Sequence, residues 1–557
     1  MTEHRTTEKL CGKTLAPGLG EGNVFVYRDI LKRFDEFYDI DLTEVQHEQE
    51  RLDRALARIA EDLSALATRV EKEIDAELAE VFRAHYMMVQ DPSLGKEVQK
   101  EIKEELVSAG SAVKTVFRRW ERRFRSMEAE VAKQKGDDMR DLERRLISSL
   151  AGIHGHALEG IPHGSVLVAN RLFPSDTVFL ERNSAAAAVL EVGGKGSHAA
   201  LFAREIGLPC VAGIKGLLDT VREGAFVIVD ADKGEVTVDP TQKQRQAFHA
   251  EQDQRKSAIA QARNRAQKPA VTRRGEQIAV LANVGDAADT EFAIENGSDG
   301  VGLYRLEQIY LGRQTPPNIT ELLEEMQRTL YPARGLPVYV RLLDVGADKP
   351  LPFLDMPREA NPSLGMRGIR FLLEHPDLLQ TQLDALLKLS SEHDLHVLVP
   401  MVTLPSDVAA VREALKDATA RIKTSNVPRL GAMIETPAAA LGSAEIATSV
   451  DFLSFGTNDL TQYSFATDRE NVAVDAYFDD THDVIFRLIS MVHDDVPDIP
   501  LSVCGELAGQ SKVTSRLIAS GITSLSVAPP SIPMIKESVR ACDQASKPRV
   551  NKAIDGN

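Results

Sequence analysis

Cysteine is scarce in this chain. The four in 557 residues, Cys11, Cys210, Cys504 and Cys542, are too few and too scattered for a disulfide framework or a cysteine-built metal cluster. Positive charge is short as well: 66 lysines and arginines against 83 acidic residues leave a formal net charge of −17. That balance argues against nucleic acid or an anionic membrane as the main partner. No hydrophobic run approaches the length of a membrane span, and the opening Met1-Thr-Glu-His-Arg-Thr-Thr-Glu8 lacks the apolar core of a secretion signal. A glycine–lysine loop of the Walker type is also missing. The expectation is a soluble, reduced, cytoplasmic protein without membrane insertion. What is present is an ordinary apolar fraction, 43%, over a length that accommodates roughly three or four domains.

Residues 12–27 read as a short β segment turning at Ala16-Pro17-Gly18. From Asp41 the period changes. Leu52, Leu56, Ile59, Leu63, Leu66 and Val70 recur at spacings of four and three, the stripe of an amphipathic helix, with Thr43 and Gln46 spaced as a capping box ahead of it. Helical patterns continue at Leu78–Val89, at Val113, Val116, Phe117, Trp120 and Phe124, and at Met139–Leu150, which predicts a four-helix arrangement over 41–150. After Gly160 short β-rich runs return at Gly164–Ala169, Ala187–Val192, Phe226–Asp230 and Glu235–Asp239. Residues 1–40 and 151–240 are therefore expected to form one small α/β domain, into which the helices are inserted. Residues 241–270, rich in Gln, Ala, Lys and Arg, read as an exposed linker helix.

Within the α/β domain one stretch stands out: Gly193-Gly194-Lys195-Gly196-Ser197-His198-Ala199-Ala200-Leu201-Phe202-Ala203-Arg204. A hydrophobic run leads into it and a helical pattern follows. Glycines permit positive φ and close approach of a ligand, and the first amides of the helix favour an anion. A histidine there is placed to carry a phosphate.

Beyond residue 271 strands and helices alternate to the end. Candidate strands are Ile278–Asn283, Gly300–Tyr304, Val338–Leu343, His396–Met401, Leu430–Ile434, Asp451–Phe455, Leu501–Cys504 and Ser524–Val527. Eight parallel strands with eight crossovers predict a (β/α)₈ barrel over 271–557, whose chemistry sits where the strands end. Arg305 and Arg341 stand at two of those ends, and Asp344, Asp348, Lys349, Arg367 and Arg370 follow the second. Glu435 ends another, with Thr436-Pro437 as a good helix cap and first turn. Thr457-Asn458-Asp459, Arg469 and Cys504 complete the set. Converging guanidinium forks suit a phosphate. Two carboxylates suit a hard cation such as Mg²⁺, and a protonated thiol can donate a proton. Any one of these groups alone is usually structural. Their coincidence at one barrel end is not.

Together these stretches resemble the phosphoenolpyruvate–protein phosphotransferases, the enzyme I family of the bacterial phosphoenolpyruvate:sugar phosphotransferase system. The resemblance runs from Ala16 to Lys536 and is most specific at Gly193–Arg204, Gly300–Arg313, Arg341–Lys349, Asn361–Arg370, Glu435–Ala440, Asp451–Arg469 and Cys504–Gly509. It implies a phosphohistidine domain that swivels, carrying an inserted helical bundle, followed by a (β/α)₈ barrel that dimerises. It implies that His198 is the phosphorylated nucleophile and Cys504 the proton donor to the leaving enolate. Arg305, Arg341, Lys349, Arg367 and Arg469 would hold the substrate phosphate, Asn458 the carboxylate side of phosphoenolpyruvate, and Glu435 with Asp459 the Mg²⁺. The helical insertion would dock HPr, the small phosphocarrier protein, in the first step of sugar uptake.

The chain departs from the family where Gly196, Ala199, Leu306 and Leu342 replace threonines, which puts rate or choice of acceptor in question. Two other readings follow from the same residues. One is an enzyme like pyruvate phosphate dikinase or phosphoenolpyruvate synthase, whose swivelling domain Ser197-His198-Ala199-Ala200 also resembles. That reading needs an ATP-binding domain, for which no segment is left over. The other is a phosphoenolpyruvate-sensing regulatory protein with altered catalysis.

Overall fold

In the computed structural model, residues 7–543 are described except 29–37, 74–75, 126–129, 154–156, 174–175, 177–179, 181–184, 194–197, 312, 347–350, 352, 355, 357–358, 470 and 472–473. The early apolar stretches form β1 (Glu8–Cys11), β2 (Lys13–Ala16) and β3 (Leu19–Tyr27). Later ones form β4 (Val166–Ala169), β5 (Ala187–Leu190), β6 (Cys210–Ala212), β7 (Phe226–Asp230) and β8 (Glu235–Val238). All eight share one sheet in the order β1-β8-β7-β3-β4-β5-β6-β2. Its seam is β3, which pairs antiparallel with β7 and parallel with β4. A Cβ on Gly22 of that strand would lie 2.1 Å from the carbonyl oxygen of Gly164, so only glycine allows the approach. Every residue of β4, β5 and β6 is buried, as expected for parallel strands covered on both faces.

Between β3 and β4 run five described helices: α1 (Val45–Glu73), α2 (Ala76–Gln90), α3 (Pro92–Glu105), α4 (Ala109–Arg125) and α5 (Glu130–Leu150). That is one more than the apolar periodicity predicts. The additional helix is α3, which starts afresh because Asp91 caps it, accepting from the Ser93 amide at 2.8 Å, with Pro92 in the first position. Its Leu94, Val98 and Ile102 are buried at the spacing of one helix face. On α1 the predicted stripe is buried at Leu52, Ile59, Leu63, Leu66 and Val70, with Leu56 half-buried. Each such fully buried side chain contributes about 1.5–3 kcal/mol by leaving water. The lead-in to α1 differs from expectation: the Asp41 amide donates to Glu44 Oε2 at 2.9 Å, in place of a Thr43–Gln46 box.

Helix α5 is tied to the sheet through a buried cation. Arg144 Nη1 lies 3.0 Å from Asp176 Oδ2, and the Tyr27 hydroxyl of β3 donates to Asp176 Oδ1 at 2.7 Å. Burial and the neighbouring Asp176 hold the Tyr27 hydroxyl far above its ordinary pKa, so it remains a donor. After β8 a single helix, Gln242–Arg265, crosses the expected linker. Near its start the Arg245 guanidinium stacks 3.9 Å over the Phe226 ring, and near its end Arg265 pairs with Glu537 at 3.0 Å. The chain divides into two compact units between Asp253 and Gln254, inside this helix.

The second unit is the barrel. Its strands are β9 (Ala279–Val284), β10 (Val301–Arg305), β11 (Pro337–Arg341), β12 (Asp394–Val399), β13 (Arg429–Ile434), β14 (Phe452–Phe455), β15 (Leu501–Val503) and β16 (Ser524–Val527). All pairings are parallel, and β16 closes onto β9. The interior is filled in layers, so it is a packed column and not a pore. At one level Tyr339 stacks on His396 at 4.5 Å and meets Phe452 edge-on at 5.0 Å. Gly431 makes room there, since a Cβ on it would sit 2.2 Å from the Phe452 ring. Leu303, Leu398, Met433 and Cys504 continue the same apolar cluster. Alternation then places Arg305 two residues beyond Leu303, Arg341 two beyond Tyr339 and Glu435 two beyond Met433, on the same faces and nearer the strand ends.

Candidate active site

Arg305 and Arg341 are register partners at the carboxyl ends of β10 and β11. Arg341 is buried between two acids: its Nη2 donates to Glu307 Oε1 at 2.8 Å, and its Nη1 lies 3.2 Å from Asp344 Oδ2. Glu307 Oε1 also accepts the Asp344 amide at 2.9 Å, which fixes the loop after β11. Arg367, from the next loop, bridges two carboxylates, with Nη2 3.0 Å from Asp344 Oδ2 and Nη1 3.1 Å from Asp459 Oδ1. Tyr463 braces that loop by donating its hydroxyl to the Ser363 carbonyl. Glu435 is wholly buried, and its Oε2 accepts the Met401 amide at 2.7 Å. Thr436 then caps the following helix through the Ala439 amide at 3.1 Å, with Pro437 in the first position. Asn458 and Glu506 join the loops after β14 and β15: the Glu506 amide donates to Asn458 Oδ1 at 3.1 Å.

These groups act on one another electrostatically. Burial, then the neighbouring Asp459 and Asp344, push Glu435 up to about 8, against the pull of Arg341 and Arg367. Burial likewise raises the Cys504 thiol to about 11, opposed by a hydrogen bond from Ser454 and by Arg341 and Arg305, with Glu435 adding to the rise. Burial also opposes the charge on Arg341, yet Glu307 and Asp344 hold its pKa above the ordinary arginine value. Arg305 is shifted the other way, below that value, by desolvation within the concave mouth and by the Arg341 charge beside it, although its residue surface remains open to solvent. Unlike Arg341 and Arg367, it forms no ion pair with a carboxylate among the described residues.

The structure thus brings Arg305, Arg341, Arg367, Glu435, Asp459 and Cys504 into one cluster. Asn458 stands on its edge, spent on the Glu506 loop, and Arg469 is exposed, with its amide donating to Gln462 Oε1 at 3.1 Å. Lys349 and Gly196 lie outside the described residues, as do the side chains of His198 and Ala199. The backbone of His198 is described: it opens the helix His198–Glu205. Gly193 departs from expectation. Its φ is not positive; a Cβ there would sit 3.1 Å from both Ala212 Cβ and Leu15 Cδ1, a tight fit to which those side chains would have to yield. Leu306 and Leu342 are entirely buried in the hydrophobic core around the strands, apart from the small interior cluster that holds Cys504. Sequence reasoning missed Glu307, Tyr463 and Ser454. For Glu307 the signal was its place two residues past Arg305.

A pH effect follows from Glu435. A carboxyl whose pKa is raised in the folded chain adds stability below its unfolded pKa, and that contribution is lost as pH climbs through about 8. In a chelating buffer the thermal midpoint of the wild type is expected to fall from about pH 5 to about pH 8 more steeply than that of Glu435→Gln. Parallel curves for the two proteins would show that Glu435 ionises as an ordinary carboxyl.

A parallel barrel whose mouth gathers arginines, carboxylates and a thiol, preceded by an α/β unit with a histidine at a helix start, is an arrangement suited to a phosphorylated substrate. In keeping with it, the family described as PEP-utilising enzyme, PEP-binding domain matches residues 259–544, the N-terminal family of the same enzymes matches 11–135, and their mobile domain matches 161–234. Named relatives are similar along most of the chain. A phosphoenolpyruvate-protein phosphotransferase of Priestia megaterium is 34% identical over 92% of this chain and 90% of its own length. One from Haloferax volcanii is 35% identical over 97% and 95%, and one from Haemophilus influenzae is 30% identical over 95% and 93%. The chain belongs to the phosphoenolpyruvate-protein phosphotransferase family.

Proposed function

We propose that this enzyme takes the phosphoryl group of phosphoenolpyruvate onto His198 and passes it to a histidine of an HPr-type phosphocarrier, releasing pyruvate. The observation that carries this reading is the cluster at the barrel mouth, where Arg341 and Arg367 lie among buried carboxylates beside the Cys504 thiol. Phosphoryl transfer demands little covalent work of a protein and much charge stabilisation. Arg305, Arg341, Arg367, Lys349 and Arg469 would bind the phosphate oxygens and orient phosphorus toward the imidazole. Asn458 would meet the substrate carboxylate. Cys504, kept protonated by its surroundings, would give its proton to C3 of the enolate, and conversion of the enolate to pyruvate makes the transfer favourable.

The residues fit a hard divalent cation. Among the described residues no group of three His, Cys, Asp or Glu forms a ready cation cage, but Mg²⁺ needs only one or two carboxylates when phosphate oxygens supply the rest. Glu435, held toward its neutral form by burial and then by Asp459 and Asp344, is the carboxyl that an added positive charge would relieve. Glu435 and Asp459 would hold Mg²⁺, which when bound supplies positive charge beside the transferring phosphate.

His198 belongs to one compact unit and the barrel to the other, so it must be loaded at the mouth and unloaded elsewhere. The pivot falls in the linker 241–270, with the helical insertion 41–150 as the docking surface for the carrier and the barrel as the homodimer contact. Cytoplasmic location fits the partner, and no described helix is long and apolar enough to cross a membrane. The departures at Leu306 and Leu342 weigh little against catalysis, because both side chains are buried away from the cluster.

Incubation of the purified chain with ³²P-labelled phosphoenolpyruvate and Mg²⁺ is the test. Label that is acid-labile and moves to a co-purified HPr-type protein is the expected result. ATP-dependent formation of phosphoenolpyruvate would establish the dikinase-like alternative, and substrate binding without any label would establish a regulatory protein.

A further inference from the structure

Ser454 occupies the middle of β14, between Leu453 and Phe455, which are fully buried and apolar. It is itself buried, and its hydroxyl donates to Cys504 Sγ at 3.3 Å. The thiol in turn points its own hydrogen toward the Phe455 carbonyl, 3.6 Å away. On its apolar side are Leu303, Leu398, Met433 and Phe452, with the half-buried Tyr339 packed against them. A neutral thiol is a weak acceptor, so this hydroxyl gains little in the resting protein, and burying it there costs stability. Its bond becomes strong only when sulfur is negative, since hydrogen bonds to charged groups are worth roughly twice those between neutral ones.

We propose that Ser454 is a positioning residue for proton delivery, a hydroxyl that holds Cys504 and stabilises the thiolate left when the enolate is protonated. This rests on the reading of Cys504 as the proton donor. In the step, the S–H bond breaks and its electron pair stays on sulfur, while the enolate π pair forms the C3–H bond of pyruvate. The thiolate recovers a proton from water once pyruvate has left. The Ser454 hydroxyl keeps its hydrogen throughout. Because the stabilisation develops with the charge, it lowers the barrier without tightening substrate binding. The guanidinium groups of Arg305 and Arg341 favour the same anion through space, whereas Glu435 opposes it.

The test compares Ser454→Ala, Cys504→Ala and the double variant in the full-length chain. It reads steady-state pyruvate release, exchange of the pyruvate methyl protons with deuterated water, and thermal midpoint. Ser454→Ala is expected to lower kcat and the exchange rate together by about 10- to 100-fold, the range for loss of a hydrogen bond to a charged group, with KM nearly unchanged. Its midpoint should be equal to or above that of the wild type. On the Cys504→Ala background the serine substitution should cost nothing more, because its partner is already gone. An unfolded or markedly destabilised Ser454→Ala overturns the proposal in favour of a structural hydroxyl. So does an equal loss in both backgrounds, or a rise in KM with kcat intact. If Cys504→Ala is slow but Ser454→Ala is normal, Ser454 has no role and the cysteine keeps its own. If Cys504→Ala itself releases pyruvate and exchanges protons at the wild-type rate, the underlying assignment of the acid fails first.

Discussion

His198→Ala is expected to take up no acid-labile phosphoryl label from phosphoenolpyruvate and to release pyruvate at least about 10⁴-fold more slowly than the wild type, the scale seen when a catalytic nucleophile is removed. The chain holds 13 histidines, so the claim is specific. What singles out His198 is its place at the first residue of the helix His198–Glu205, shortly after β5 ends at Leu190. The unpaired amides of a first helical turn favour an anion at that end of the helix, and an imidazole in its neutral form is a nucleophile for phosphorus. The barrel cluster belongs to the other compact unit, so binding of phosphoenolpyruvate, followed by calorimetry, should survive the substitution. Label retained at the wild-type level in His198→Ala would remove the nucleophile assignment and leave the barrel site standing.

Arg367→Met is expected to damage both stability and catalysis. Its guanidinium is the link between Asp344 and Asp459, at 3.0 and 3.1 Å, and all three side chains are buried. A methionine fills much of the volume but leaves two carboxylates without their shared cation. Breaking a buried pair in this way costs about 3–5 kcal/mol. If Arg367 binds the phosphate as proposed, kcat/KM should also fall about 10³-fold, the scale on which an arginine serves phosphoryl transfer. Arg367→Lys separates the two effects. An ammonium keeps the charge, so urea denaturation should show part of the stability restored. It has no planar fork to span two carboxylates and a phosphate, so the rate should stay low. A methionine variant with wild-type stability and turnover would mean that the bridge across the two acids contributes to neither.

The barrel was legible because buried parallel strands write themselves as short apolar runs between helical stretches, and each of the eight predicted runs coincides with a strand. The strand-end residues were legible for the same reason: once the strands are placed, the mouth is whatever follows them. Thr436-Pro437 is the clearest local case, since a cap and a first-turn proline need no tertiary help to be read. Other features were hidden. The strand Cys210–Ala212 has three residues and lies outside the regular strand–helix alternation that exposes the equally short Leu501–Val503 in the barrel. Helix α3 carries lysine or glutamate at half of its positions, and its buried face is a single row of Leu94, Val98 and Ile102. Glu307 looks like an ordinary helix-start acid until β11 places Arg341 beside it at 2.8 Å. Gly193 reads as a turn residue, yet the structure surrounds it closely with Leu15 and Ala212, one of them distant in the chain.

Taken alone, the order of residues determined which segments are strands and helices, which strand ends carry arginine and carboxylate, and where the histidine opens its helix. These are local facts, set by spacing and by the chemistry of single side chains. Only the tertiary structure decided how the charges are shared: Arg341 held by Glu307 and Asp344, Arg367 by Asp344 and Asp459, and Cys504 facing Ser454. The physical reason is that the strength of an ion pair, the pKa of a buried acid and the value of one hydroxyl depend on distance and desolvation. Both exist only after barrel closure brings together residues far apart in the chain.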